Sequence, residues 1–181
     1  MTRSDPLVME ARVPPAGPAF PDLTCPSPSA DVGNVLCLVT PSCRRAWDRG
    51  TFRPVLAGNA YTGPFSRKCQ TYAETFHHGS WCVLDPHHGF LFPDEIIRKG
   101  HDACLFRPWT EPITLDGLRT QVKKRKLDRY ERLVVMGGRR FIFLVEEAFP
   151  GRKVRAPLAG LGGIGEMMHE INMALASGNR L

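Results

Sequence analysis

Apolar and polar positions alternate along the chain in two ways. Short, unbroken apolar runs stand between longer stretches in which apolar residues recur every three or four positions. Asn34–Thr40, Ser80–Asp85 (stopped by Pro86) and Leu133–Met136 are runs of the first kind. At that length, without alternation, they predict strands buried on both faces, as in a parallel sheet. The second kind predicts helices. One begins around Thr62 and runs through Phe65, Cys69, Tyr72, Ala73 and Phe76. Thr114 caps another, to about Tyr130, with Leu115, Leu118 and Val122 facing inward. Further helices are expected over Pro93–Lys99, over Arg139–Phe149, and from Gly163 or Ile164 to just before Gly178. Lys153–Ala156 is expected as an edge strand. Strands alternating with helices predict an α/β fold: three layers, α/β/α, around a short, mostly parallel central sheet. Ligands of such sheets sit beyond the carboxyl ends of the strands. Here those ends lead into the loop after Thr40, the loop after Asp85 and the glycines after Met136.

Composition sharpens this picture. With 181 residues, 43% of them hydrophobic, the chain can bury a single core. No run approaches the ~20 apolar residues of a membrane span. The first residues show no basic-then-apolar leader, so the expected location is cytoplasmic. Residues 1–33 hold seven of the 16 prolines and are expected to be an extended or flexible head. Residues 34–181 are expected to form one catalytic or DNA-binding domain. The head is net −2 within an overall charge of +6, so the folded part carries +8 and favours a polyanionic partner. The six cysteines include no pair two residues apart, and Cys37 and Cys82 fall inside apolar runs as small core residues. No metal or organic cofactor is assigned on this pattern.

Three segments carry candidate chemistry. Leu161–Met168 contains the turn Gly163-Ile164-Gly165 at a helix start, where bare amides and the helix dipole suit a phosphate. It resembles the hairpin of helix-hairpin-helix DNA-binding proteins, and close helix packing is the alternative. Arg119–Arg132 holds seven basic residues, Lys123 and Lys124 among them, against two acidic ones. That suits a nucleic-acid backbone by counterion release, or a solvated helix face. Leu84–Glu95 places carboxylates and two histidines in a strand-end loop. Asp85, Asp94 or Glu95 is suited to activating water or stabilising a cationic sugar, and His87 or His88 to moving a proton. Near them, Tyr61 and Phe65 flank a turn and are candidate walls of a base pocket. Cys43 can line such a pocket, and Arg44 and Arg45 can bind phosphate.

These residues also carry a family resemblance. A strand followed by Cys43 and basic residues, Ala60-Tyr61-Thr62-Gly63-Pro64-Phe65, His88-Gly89-Phe90-Leu91 with Pro93-Asp94, and the glycine-rich start of the last helix come in a familiar order. It resembles a bacterial and phage family of small uncharacterised domains related to the uracil-DNA-glycosylase-like fold. Anti-phage DNA glycosylases that remove glucosylated hydroxymethylcytosine lie in the same neighbourhood. Cys43, Tyr61, Phe65, His88 and Asp94 fall on motif positions. The chain departs from the pattern where Asp85-Pro86-His87 replaces Ser-Ala-Lys, and where Arg44-Arg45 stands near the usual lysine.

The resemblance implies a monomeric, monofunctional glycosylase that flips a modified base out of double-stranded phage DNA and cleaves its N-glycosidic bond. Asp94 or Asp85 would act at the sugar and His88 at the base. His87 would line the pocket. Arg44, Arg45, Lys123, Lys124 and the Gly163–Gly165 turn would hold phosphates. Two rivals share the residues: a DNA-binding protein without catalysis, and a hydrolase or base transferase acting on free nucleosides or nucleotides.

Overall fold

The computed structural model describes residues 34–48 and 50–181. The expectation for residues 1–33 lies outside the described residues. Seven strands and five helices are numbered in chain order. The strands are β1 (Val35–Val39), β2 (Val55–Leu56), β3 (Trp81–Asp85), β4 (Gly89–Leu91), β5 (Ile96–Ile97), β6 (Arg132–Met136) and β7 (Lys153–Arg155). The helices are α1 (Ala57–Ala60), α2 (Pro64–Phe76), α3 (Leu115–Lys124), α4 (Arg139–Ala148) and α5 (Ile164–Ser177).

The central sheet has five strands in the order β4-β3-β1-β6-β7. All pairings are parallel except β3 with β4. β1 lies in the middle and is buried along its whole length, as its unbroken apolar run predicts. Its side chains divide by parity. Val35, Cys37 and Val39 join the core under α1, α2 and α5, while Leu36 and Leu38 join the core under α3 and α4. The expected mostly parallel sheet between two helical layers is therefore present. No helix among the described residues is long and apolar enough to cross a membrane.

Most elements start and stop within a residue or two of expectation. Gly63 caps α2, and Pro64 takes its first position, where a missing N–H costs nothing. The Thr114 side chain accepts from Gly117 N and caps α3. Two expected helices differ. Over Pro93–Lys99 there is a turn and then β5, which pairs antiparallel with β2. The Glu95 side chain turns back to accept from Phe92 N at 2.6 Å, and the β-branched Ile96-Ile97 pair then extends. The helix from Thr114 stops at Lys124 rather than near Tyr130. Lys126 adopts φ +54, which breaks the ladder, and Leu127–Arg129 is a 3-10 turn that buries Leu127.

His77, at the carboxyl end of α2, is buried. Burial lowers its imidazole from the ordinary 6.5 to about 4, with Arg180 adding repulsion. The unfolded chain therefore takes up a proton that the folded chain refuses between about pH 6.5 and about pH 4. The stability linked to His77 is present above that window and is lost as the pH falls through it. We expect the melting temperature of His77→Gln to fall less than that of the wild type over this range, as thermal unfolding followed by circular dichroism would show.

A buried carboxylate that gathers three histidines

β3 ends in Asp85, and Pro86 prevents it from continuing. Asp85 is fully buried on the α2 face of the sheet. The chain turns at once into β4, and that tight turn aims two backbone amides back at the carboxylate. His87 N and His88 N donate to Asp85 Oδ1 at 2.8 and 2.7 Å. His88 Nδ1 lies 3.0 Å from the same oxygen. Tyr61 Oη donates to Oδ2 at 2.9 Å, and His101 Nε2 lies 3.1 Å from it. Gly89 completes the turn at φ +80. A Cβ there would lie 2.1 Å from Gln121 Oε1. That amide supports the turn from α3, donating to the His88 carbonyl at 2.9 Å and accepting from Phe90 N at 2.7 Å.

His101 arrives from a loop far along the chain and is held from behind by the loop after β1. Trp47 Nε1 donates to the His101 carbonyl at 3.0 Å, and Arg45 Nη1 donates to the same oxygen. The Trp47 ring lies 5.2 Å from the His101 ring. His87 stacks on His101 at 5.1 Å between centroids, and His88 sits edge-on to His101 at 5.4 Å. Two imidazoles thus face one carboxylate, and the third packs against them.

Burial by itself would push the Asp85 carboxyl up. Hydrogen bonding and charge from His101, with the amides of His88 and His87, outweigh it and hold the group well below the usual carboxylate range. An ionised carboxylate has only lone pairs to offer, so the ring nitrogens facing it carry hydrogen. That leaves His88 Nε2 and His101 Nδ1 as the free ring nitrogens. The His88 side chain is 32% exposed and that of His101 only 8%. His101 Nδ1 is buried without a hydrogen-bond partner among the described residues. Burial, with repulsion from His88 and His101, lowers the His87 imidazole. Burial, then the charge and hydrogen bond of Asp85, push the Tyr61 phenol far up. A pocket of about 230 Å³ opens beside the cluster, lined by His87, Lys99, His101, Asp102, Thr110 and Glu111.

The candidate residues of the sequence divide accordingly. Asp85, His87, His88 and Tyr61 come together. Asp94 does not join them: it is exposed, in a separate groove of about 750 Å³ with Asn59, Arg67 and Trp81. Tyr61 also lines that groove. Glu95 is forked by Arg125, with Nη1 to Oε2 at 2.8 Å, and holds the turn after β4. Phe65 packs against the core under α2. Cys43 and Arg44 are exposed on the loop after β1. Arg45 is not free for phosphate, because its guanidinium is turned to the His101 carbonyl, Asp48 and Asp102. Lys123 and Lys124 are exposed on α3, in the layer opposite Tyr61 and α2. Gly163 caps α5 with no side chain over it, and Ile164 and Gly165 are exposed. The neighbouring Gly162 amide already donates to Glu166 Oε2 at 2.7 Å.

Comparison with known proteins finds a relative. The chain is 30% identical over 148 residues to the uncharacterized protein YfjM of Bacillus subtilis (strain 168), covering 81% of this chain and 98% of YfjM. The chain belongs to the YfjM family. No family model and no solved structure matches it. In this YfjM-family chain, His101 is the member of the cluster that residue order does not reveal. It lies 16 positions after Asp85, and no motif spacing ties the two. The only signal is a histidine in a polar loop that follows the strand-end turn.

Because Asp85 answers five donors from inside the core, we expect Asp85→Asn to lower unfolding free energy by ~3 kcal/mol or more, since an amide cannot accept at both positions. Tyr61→Phe should cost about 1–2 kcal/mol. Urea unfolding of the three proteins checks both the order and the sizes.

Proposed function

We propose that this YfjM-family protein hydrolyses an N-glycosidic bond in DNA, with the imidazoles around Asp85 as its reactive centre. The observation that carries the reading is the buried Asp85 joined to the half-buried His88 at the carboxyl end of a parallel strand, with a pocket lined by the neighbouring His87 and His101. In open α/β sheets that edge is where ligands bind. Asp85 is 0% exposed, so it acts as a positioning residue and not on the sugar itself. It fixes His88 through Nδ1, which leaves Nε2 as the nitrogen available to a substrate. In cleavage the C1′–N electron pair leaves with the base, which takes the proton from His88 Nε2. Water adds to C1′, and the proton it loses returns to His88 Nε2. The resemblance to anti-phage glycosylases of the uracil-DNA-glycosylase-like fold extends the reading to a flipped, glucosylated hydroxymethylcytosine in phage DNA. Exposed cations at this edge, Arg44, Lys99 and Arg139 among them, suit a phosphate backbone.

The position of Lys123 and Lys124 in the opposite layer favours a second reading, a hydrolase of free nucleosides or nucleotides, which needs no extended cationic surface.

The test incubates purified protein with glucosylated phage DNA, unmodified DNA and free nucleosides. Alkali-labile sites and released base are then scored. Abasic sites on the modified DNA are expected, with the rate lowered about a hundredfold or more in His88→Ala. Base release from nucleosides alone would move the assignment to the second reading. No abasic site on either DNA would sink the glycosylase.

A further inference from the structure

We propose that Asp85, His88 and His101 hold a divalent transition-metal ion of the zinc or cobalt kind. One ligand atom from each of the three residues lies within 4.8 Å of the others. The measured separations are 3.0 Å from His88 Nδ1 to Asp85 Oδ1 and 3.1 Å from His101 Nε2 to Asp85 Oδ2. Two ligands each ~2.1 Å from one ion stand about 3.0 Å apart across a right angle and about 3.4 Å across a tetrahedral one. A cation replacing the two ring protons therefore finds its donors almost in place.

Burial points the same way. Asp85 is shut away from solvent, and its partners among the described residues are amides, a phenol and imidazoles. The guanidinium of Arg45 is turned instead to the His101 carbonyl, Asp48 and Asp102. A buried carboxylate with no Lys or Arg paired to it among the described residues is a place that favours a cation.

The donor set matches the ion. Two imidazole nitrogens and one carboxylate are borderline ligands that suit zinc, cobalt, nickel or ferrous iron rather than magnesium or calcium. Three protein ligands leave positions open, the pattern of a reactive rather than a structural centre. A pocket lined by His87, Lys99 and His101 adjoins the site. Outer support is present too: Tyr61 Oη and the amides of His87 and His88 already orient the carboxylate. His101 Nδ1 has no hydrogen-bond partner among the described residues, so what sits at Nε2 sets its tautomer there. With the ion on Nδ1 of His88, Nε2 keeps a hydrogen and still faces outward.

This site does not depend on the glycosidic reading, and its test needs no activity. Full-length protein stripped with a chelator is titrated with zinc chloride in a calorimeter and with cobalt chloride under visible spectroscopy. We expect one ion per chain, cobalt d–d bands, and a zinc-dependent rise in melting temperature. His88→Ala and His101→Ala should each weaken binding tenfold or more, while the exposed-surface variants His78→Ala and His169→Ala leave it unchanged. If the first pair fails to fold, the wild type decides: cobalt should shift or broaden the ring signals of His88 and His101, but not those of His78 and His169, in its NMR spectrum. Absence of saturable binding, or binding that survives both substitutions or leaves those ring signals untouched, overturns the proposal.

Discussion

The molecule is organised around an ionised carboxylate placed where water cannot reach it. A charge in that position is tolerated only if it is answered by many donors, and the architecture supplies them from three separate places. The turn after β3 gives two amides and the ring of His88, the segment before α2 gives Tyr61, and the loop after β5 gives His101. The loop after β1 then braces His101 through Arg45 and Trp47. Each donor is costly to leave unmade. The same arrangement that keeps Asp85 ionised therefore also fixes the positions of three imidazoles.

The two faces of the sheet contribute differently. Under α1, α2 and α5 lies the core that includes Tyr61 and the strand side chains leading to Asp85. Under α3 and α4 lies an aliphatic and aromatic core, and its part in the site is indirect. Gln121 and Arg125 reach from α3 to the turn and strand that follow Asp85. Two of the helix's polar residues thus serve as struts, while its lysines face solvent.

Much of the fold was legible in the sequence because it rests on local rules. β1, β3 and β6 are unbroken apolar runs, and a strand buried on both faces admits nothing else. Thr114, Gly63-Pro64 and Gly178 mark helix ends by their own backbone chemistry. The elements that escaped were decided by distant partners. β4 is three residues long and exists because Gly89 turns it back onto β3. β5 exists because β2 lies beside it, and neither has enough residues to signal itself. The site was legible by half for the same reason. Asp85, His87 and His88 share one turn, and a strand-end loop announces itself. His101 joins them only through tertiary contacts, whereas Asp94, close in sequence, is carried away by the turn into β5.

The middle of the sheet is closed by pairings between segments far apart in sequence, and that bears on how the protein is handled. Thr40 and Met136, joined by two hydrogen bonds, are 96 positions apart, while the β3–β4 hairpin is local. Pairings of long separation bear their loop-closure entropy before any contact rewards it. A chain with the hairpin formed but β1 not yet between its neighbours leaves the thiols of Cys37, Cys69 and Cys82 open to oxidants. In the finished fold all three are sealed, and burial raises each of them. These thiols are protected by the finished sheet and not before it, so a reducing buffer belongs in any refolding of this protein.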